Sequence, residues 1–210
     1  MRLGELDSLA RRTEQAIKRY GKDRVAGRFE QQLALLASSL GCVVVQTRRF
    51  ERSVDIVCCS EVPRATFLIE AKTTARAYSL PTSDERALVE YVETVRDGLG
   101  VLPSLQLALL VGPDPASTLG PKLRRLSIQL KIPVRYLRAA DLAKARLRIS
   151  GSFPLGKFLS ELKDAPGVID DRIISKLVAD HDMERQLVFD LVNLKIGKDQ
   201  PRPRPDIVRD

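Results

Sequence analysis

The feature that most constrains this chain is a pair of short apolar runs joined by a turn. Val54-Asp-Ile-Val-Cys-Cys59 and Thr66-Phe-Leu-Ile-Glu-Ala71 flank Ser60-Glu-Val-Pro63. Blocks rich in β-branched and aromatic residues, bounded by a proline-containing turn, predict two neighbouring strands. Alternate side chains of a strand share a face, so Glu70 and Lys72 project together while Ala71 points the other way. Asp55 comes from the adjoining strand, with 14 residues between it and Glu70. Two strands can thereby bring two carboxylates and one ammonium to a common point.

Such a cluster suits phosphodiester hydrolysis. Mg2+ is a hard ion that prefers oxygen ligands and keeps several waters, and paired carboxylates give it a docking point. The expected ligands are Asp55, Glu70 and the backbone carbonyl of Ala71, with Mn2+ able to substitute. Lys72, beside two acids and a phosphate, can orient the attacking water and stabilise developing negative charge. Glu30, on the preceding helix, is a further candidate that could reach the metal through water; an ordinary solvated helix residue is its alternative. The competing reading of the whole cluster is an amphipathic sheet whose acids pair with lysines on a wet face. Phe67-Leu-Ile69 and Ile56-Val57 argue against it, because they predict buried strands where unpaired charge is costly.

Around this centre the pattern alternates. Residues 5–20 predict one amphipathic helix and residues 28–40 a second, with Phe29, Leu33, Leu36 and Leu40 on one face. A strand over 42–46 precedes the two already named. A helix over 84–97 follows, with Ser83 as its N-cap and Gly98 as its stop. Then come a strand at 105–111, a basic helix at 118–130, a strand at 134–137 and a helix at 139–146. Further helices are expected over 155–163 and 168–195, and the Gln200-Pro-Arg-Pro-Arg-Pro205 segment reads as an extended tail. The order predicts an α/β fold with a mixed central sheet flanked by helices.

Charge points to the partner. The 210 residues carry a formal net charge of +8, which favours polyanions, nucleic acid before an anionic membrane surface. Between Pro121 and Arg148 stand nine basic residues and one acid, Asp141. Lys122, Arg124 and Arg125 on the basic helix are the expected DNA contacts. No apolar signal-peptide core opens the chain, and the longest apolar run, Val101–Val111, is too short to span a bilayer. Cys42, Cys58 and Cys59 lack zinc-site spacing and number three, so reduced thiols in a cytoplasmic protein are expected. A single His181 and the absence of glycine-rich phosphate loops leave no hint of HNH, zinc-hydrolase or P-loop chemistry.

From about Phe29 to Ile169 the sequence resembles the cleavage domains of the FokI type, within the PD-(D/E)xK nuclease superfamily. After Lys72 come Tyr78 and Leu80-Pro81, then an acidic helix with Tyr91-Val-Glu93. Leu107-Ala-Leu-Leu-Val-Gly112, Leu123-Arg-Arg-Leu126 and Phe153-Pro-Leu-Gly-Lys-Phe-Leu159 are similar to the family's next strand and helices. The resemblance implies a restriction-endonuclease-like fold over 28–168, with Asp55 and Glu70 binding metal and Lys72 catalytic. The family has Asp at the Glu70 position and a slightly longer gap before it; both acids chelate Mg2+. It also implies transient dimerisation through a helix carrying an Asp–Arg pair. Here Arg86 and Glu90 hold those positions with the charges reversed, which preserves a self-complementary two-fold contact. An ordinary exposed i,i+4 pair is the alternative.

Departures frame the organisation. Residues 1–27 read as a basic helical extension, 169–198 as a C-terminal helical extension and 199–210 as a Pro/Arg tail. No recognition region of the FokI kind is present, so a separate specificity subunit is expected. Ile173, Ile174, Leu177, Val178, Leu187, Val188, Leu191 and Val192 either contact that subunit or close the protein's own core. The reading is a Mg2+-dependent endonuclease on double-stranded DNA, acting as a homodimer or with that specificity subunit, and outside the membrane. Its alternatives are a Holliday-junction resolvase or repair nuclease of the same fold, or a non-catalytic basic DNA-binding subunit. RNA as the substrate stays open.

Overall fold

One five-stranded sheet organises the chain, in the order β1-β2-β3-β4-β5: Val43–Gln46, Ile56–Glu61, Arg64–Ala71, Leu105–Gly112 and Val134–Arg138. The computed structural model describes residues 5–46, 54–61, 64–98, 103–149, 154–176, 178–180, 182, 183 and 186. The first three strands run antiparallel and β3, β4 and β5 run parallel, so the expected mixed sheet is present. The β2–β3 hairpin sits two residues nearer its turn than the sequence predicts: β2 spans Ile56–Glu61 rather than 54–59, so Asp55 precedes the strand instead of lying within it. Its ladder continues to the pair Glu61↔Arg64, and Ile56 faces Ile69 at its other end.

The helices are α1 (Leu6–Ala10), α2 (Glu14–Tyr20), α3 (Val25–Ser39), α4 (Thr82–Gly98), α5 (Leu119–Leu130), α6 (Ala139–Arg148) and α7 (Leu155–Asp164), with further helical residues at 171–176. Two apolar clusters cover the two sheet faces. On one, Phe67, Ile69, Leu107 and Leu109 pack against Leu6, Phe29, Leu33, Leu142 and Phe158. On the other, Leu68, Ala108, Leu110 and Tyr136 meet Leu88 and Val92 of α4 and Leu119, Leu123 and Leu126 of α5. The alternation along β3 is therefore what assigns Glu70, in step with Leu68, to the α4–α5 face.

Three expectations need correction. The helix over 5–20 is two helices, because Arg12 turns to φ 50° and Thr13 caps the second by accepting from the Ala16 amide. Thr13 also exchanges a 2.6 Å hydrogen bond with Ser8, and such local hydroxyl bonds compete with helix continuation. Ser83 is not the N-cap of α4 but lies inside it, since the helix begins at Thr82 and the Glu85 amide donates to the Pro81 carbonyl. Proline's fixed φ suits the start of a helix. Finally, 168 does not open a helix. The Tyr136 amide donates to Gly167 O and the Ile169 amide to Tyr136 O, each at 2.8 Å. This short extended segment satisfies the otherwise open edge of β5, and helix resumes at 171–176.

The N-terminal helices share the main core. Leu6, Leu9, Ala10 and Ala16 belong to the first cluster, as do Ile174 and Val178 from beyond α7. Those last two close the protein's own core, and partly buried Ile173 packs against it. Leu177, Leu187, Val188, Leu191, Val192, His181 and the 199–210 tail lie outside the described residues. All three cysteines are free, with Cys42 and Cys58 buried.

Candidate active site

Beyond Ile56 the β2–β3 ladder stops, and the backbone of β3 is opened to side chains instead. Asp55 stands just there. Its Oδ2 accepts from the Ala71 amide at 2.7 Å, and its own amide donates to Glu70 Oε2 at 3.3 Å. On the opposite edge the Lys72 amide donates to Val111 O at 2.8 Å. Successive strand residues direct their polar groups to alternate sides, so the Ala71 carbonyl faces Asp55. The two acids are thus interlocked through one strand end.

Lys72 completes the group. Its Nζ lies 3.1 Å from Glu70 Oε1 and 3.1 Å from Asp84 Oδ2, with only 14% of the side chain exposed. Burial pulls the ammonium's pKa down, but Glu70 and Asp84 together outweigh that and hold it above its usual value. The acids respond oppositely. Burial, then the neighbouring Glu70 charge, pushes the Asp55 carboxyl up to about 8. Burial also raises Glu70, against the pull of Lys72. Glu30 on α3 makes no hydrogen bond to the pair, yet its charge is near enough to add to the rise at Asp55.

Two carboxylates held side by side and both disfavoured as anions form a site whose cost a divalent cation would relieve. Among the described residues no group of three or more His, Cys, Asp or Glu side chains converges as a metal cluster. A resident ion would therefore rest on Asp55, Glu70, the Ala71 carbonyl and water, which fits a hard ion that keeps its waters. No thiolate or imidazole stands in this donor set, so a soft metal is not what it suits.

Sequence reasoning missed Asp84. It sits in the first turn of α4 and accepts from the Tyr78 hydroxyl at 2.6 Å as well as meeting Lys72. Tyr78 in turn stacks on Tyr136, with centroids 5.6 Å apart and rings at 11°. The Tyr136 hydroxyl donates to Pro113 O at 2.9 Å. Gly112 leaves room for all this, since a Cβ there would stand 2.5 Å from the Tyr136 hydroxyl oxygen and 2.9 Å from Lys72 O. Tyr91, two helical turns on from Asp84, also feels the charges of Glu70, Lys72 and Asp55.

The remaining candidates separate. Arg86 and Glu90 are exposed on the outer side of α4, with no ion pair to a described residue. Lys122 and Arg125 are engaged within the protein. Lys122 donates to Leu80 O at 2.7 Å, and Arg125 pairs with Glu85 at 2.7 Å. Leu80 has φ 56°, a strained value for leucine, and directly precedes Pro81. Arg124 is exposed. With Lys131 and Arg135 it lines a cavity of about 400 Å3 that no acidic residue lines.

The structure of restriction endonuclease FokI bound to DNA superposes with a TM-score of 0.64 at 17% identity, covering 80% of this chain and 30% of that one. The chain has the fold of the FokI nuclease. A second FokI structure gives a TM-score of 0.57 at 16% identity, covering 69% of this chain and 26% of that chain. The protein thus spans less than a third of the FokI chains it matches. No family model and no curated protein matches it in sequence. Among the described residues no helix of this FokI-like fold is long and apolar enough to cross a membrane.

Proposed function

We propose that the protein is a divalent-metal-dependent endonuclease that hydrolyses phosphodiester bonds of double-stranded DNA. It would serve as the cleavage subunit of a restriction or related DNA-processing system, with specificity supplied by another subunit. One observation carries this reading: Asp55, Glu70 and Lys72 meet at the end of β3 through contacts of 2.7–3.3 Å. The FokI fold and its DNA-bound relative support it.

Asp55, Glu70 and the Ala71 carbonyl would hold Mg2+ or Mn2+. Bound there, the ion supplies neutralisation of the scissile phosphate and a water of lowered pKa. Lys72 does the rest of the polar work. Its ammonium carries three donors and no lone pair, so it orients the water and steadies charge on the phosphate rather than accepting the proton. Glu30 acts at longer range, through water. The test is a supercoiled plasmid incubated with protein and Mg2+, or with chelator. Nicked or linear product only with the metal is expected; an intact plasmid, or cleavage unaffected by chelator, overturns the reading.

Arg86 and Glu90 would form the reciprocal two-fold contact of the cutting dimer. Changing either sign sets like charges against each other twice across the axis. Arg86→Glu and Glu90→Arg should each lower linear product about tenfold while nicking persists, and the double variant should recover linearisation. Unchanged linearisation by both single variants across enzyme concentrations would remove this dimer.

For DNA contact, Arg124 and Lys131 are the cations of α5 and its C-cap without an ion pair among the described residues. Replacing both by alanine should flatten the slope of log affinity against log salt by about 2, roughly 0.9 per released counterion. Lys122→Ala and Arg125→Ala should change that slope less. A salt series of filter binding on linear duplex separates them.

A further inference from the structure

We propose that Asp84 is a positioning residue for the catalytic lysine, which makes α4 part of the cleavage machinery as well as its outer face. The inference rests on the nuclease reading above and adds to it a residue that the site's sequence pattern does not contain.

The geometry is specific. Lys72 leaves the end of β3 as a long, flexible side chain, and Glu70 alone would fix its ammonium from one side only. Asp84 meets the same Nζ at 3.1 Å from a different element. Its Oδ2 is itself held at 2.6 Å by the Tyr78 hydroxyl, and Tyr78 is fixed by stacking on buried Tyr136. A rigid chain of contacts therefore runs from the sheet interior to the ammonium. Two carboxylates from two different elements restrain the same ammonium, and a donor fixed beforehand stabilises developing charge without reorganisation.

Asp84 belongs to this role rather than to metal binding. It does not converge with Asp55 and Glu70 into a three-acid cluster among the described residues, and its contacts are to the lysine and the Tyr78 hydroxyl. Asp84 and Arg86 are two positions apart on α4, so they point to nearly opposite sides of the helix. Inward, the helix grips the lysine; outward, it presents its exposed charges.

The experiment compares the full chain with Asp84→Ala, Asp84→Asn and Tyr78→Phe. Single-turnover plasmid cleavage with Mg2+, duplex affinity, Mn2+ affinity in the absence of DNA and thermal melting are read for each. Asp84→Ala should slow cleavage at saturating enzyme by about 30- to 100-fold, with DNA and Mn2+ affinities within twofold of wild type. Asp84→Asn keeps an acceptor for both donors and should recover to within about tenfold of wild type. Tyr78→Phe should fall about threefold. A wild-type rate in Asp84→Ala overturns the inference and leaves the nuclease reading standing. So does loss of Mn2+ binding in Asp84→Ala, which would make it a ligand, or Asp84→Asn being no better than Asp84→Ala. A wild-type chain that leaves the plasmid intact overturns both.

Discussion

Asp55→Asn is expected to abolish metal-dependent plasmid cleavage while making the metal-free protein more stable. The two effects share one cause. Asp55 is buried beside Glu70, and its carboxyl is pushed up to about 8 by burial and then by that neighbour's charge. An asparagine keeps an oxygen to accept the 2.7 Å bond from the Ala71 amide, and it turns a repelled anion into a neutral amide. What it removes is a carboxylate oxygen that the proposed metal would need. Cleavage should fall by about 10³-fold or more, equivalent to roughly 4 kcal/mol of transition-state stabilisation. The melting temperature without metal at pH 8 should rise by about 3 °C or more. Lys72→Ala should match the loss of rate with duplex binding retained. Cleavage by Asp55→Asn at a tenth of the wild-type rate would remove Asp55 from the chemistry.

The second large effect is expected in the wild type, as a coupling of pH, metal and stability. A carboxyl whose folded pKa lies above its unfolded value holds extra protons in the native state. Its contribution to stability is complete below about pH 4 and drains away as pH rises toward 8. Burial acts on Glu70 in the same direction. In chelator, then, the melting temperature should fall between pH 5 and pH 8, and it should do so less in Asp55→Asn. A divalent ion needs both acids ionised, so its effect runs the other way. Mg2+ at about 100 times its dissociation constant contributes roughly 2.7 kcal/mol, or a rise of about 5–10 °C for a chain of this size. The rise should be largest at pH 8, shrink at pH 5, and vanish in Asp55→Asn. Differential scanning calorimetry across the four conditions decides it. Equal Mg2+ shifts in wild type and Asp55→Asn would place the ion elsewhere.

Much of this centre was legible in the chain because it rests on a local rule. Period-two alternation fixes which face Glu70 and Lys72 share, and a tight hairpin leaves Asp55 little choice of neighbour. The rest depends on approach in three dimensions. In sequence Asp84 is an acid in the first turn of a helix, which the helix dipole already explains; nothing local says that it reaches across to Lys72. Lys122 and Arg125 read as part of a basic run, yet one holds the carbonyl of a strained Leu80 and the other pairs with Glu85 on α4. The break after α1 turned on competing hydroxyl bonds between Ser8 and Thr13, which apolar periodicity does not record. The extended segment at 167–169 answered the open edge of β5, a demand that exists only once the sheet is formed.

Ala10 and Arg11 have a practical bearing on how far the chain can be shortened. Ala10 O accepts from the Thr74 amide at 3.0 Å, just past Lys72. Arg11 forks onto Asp114, in the loop that leaves β4 below Tyr136. Those contacts splint both loops at the business end of the sheet. Trimming back to the helix that carries Phe29 would strip away that splint, so a shortened form should keep Ala10 and Arg11.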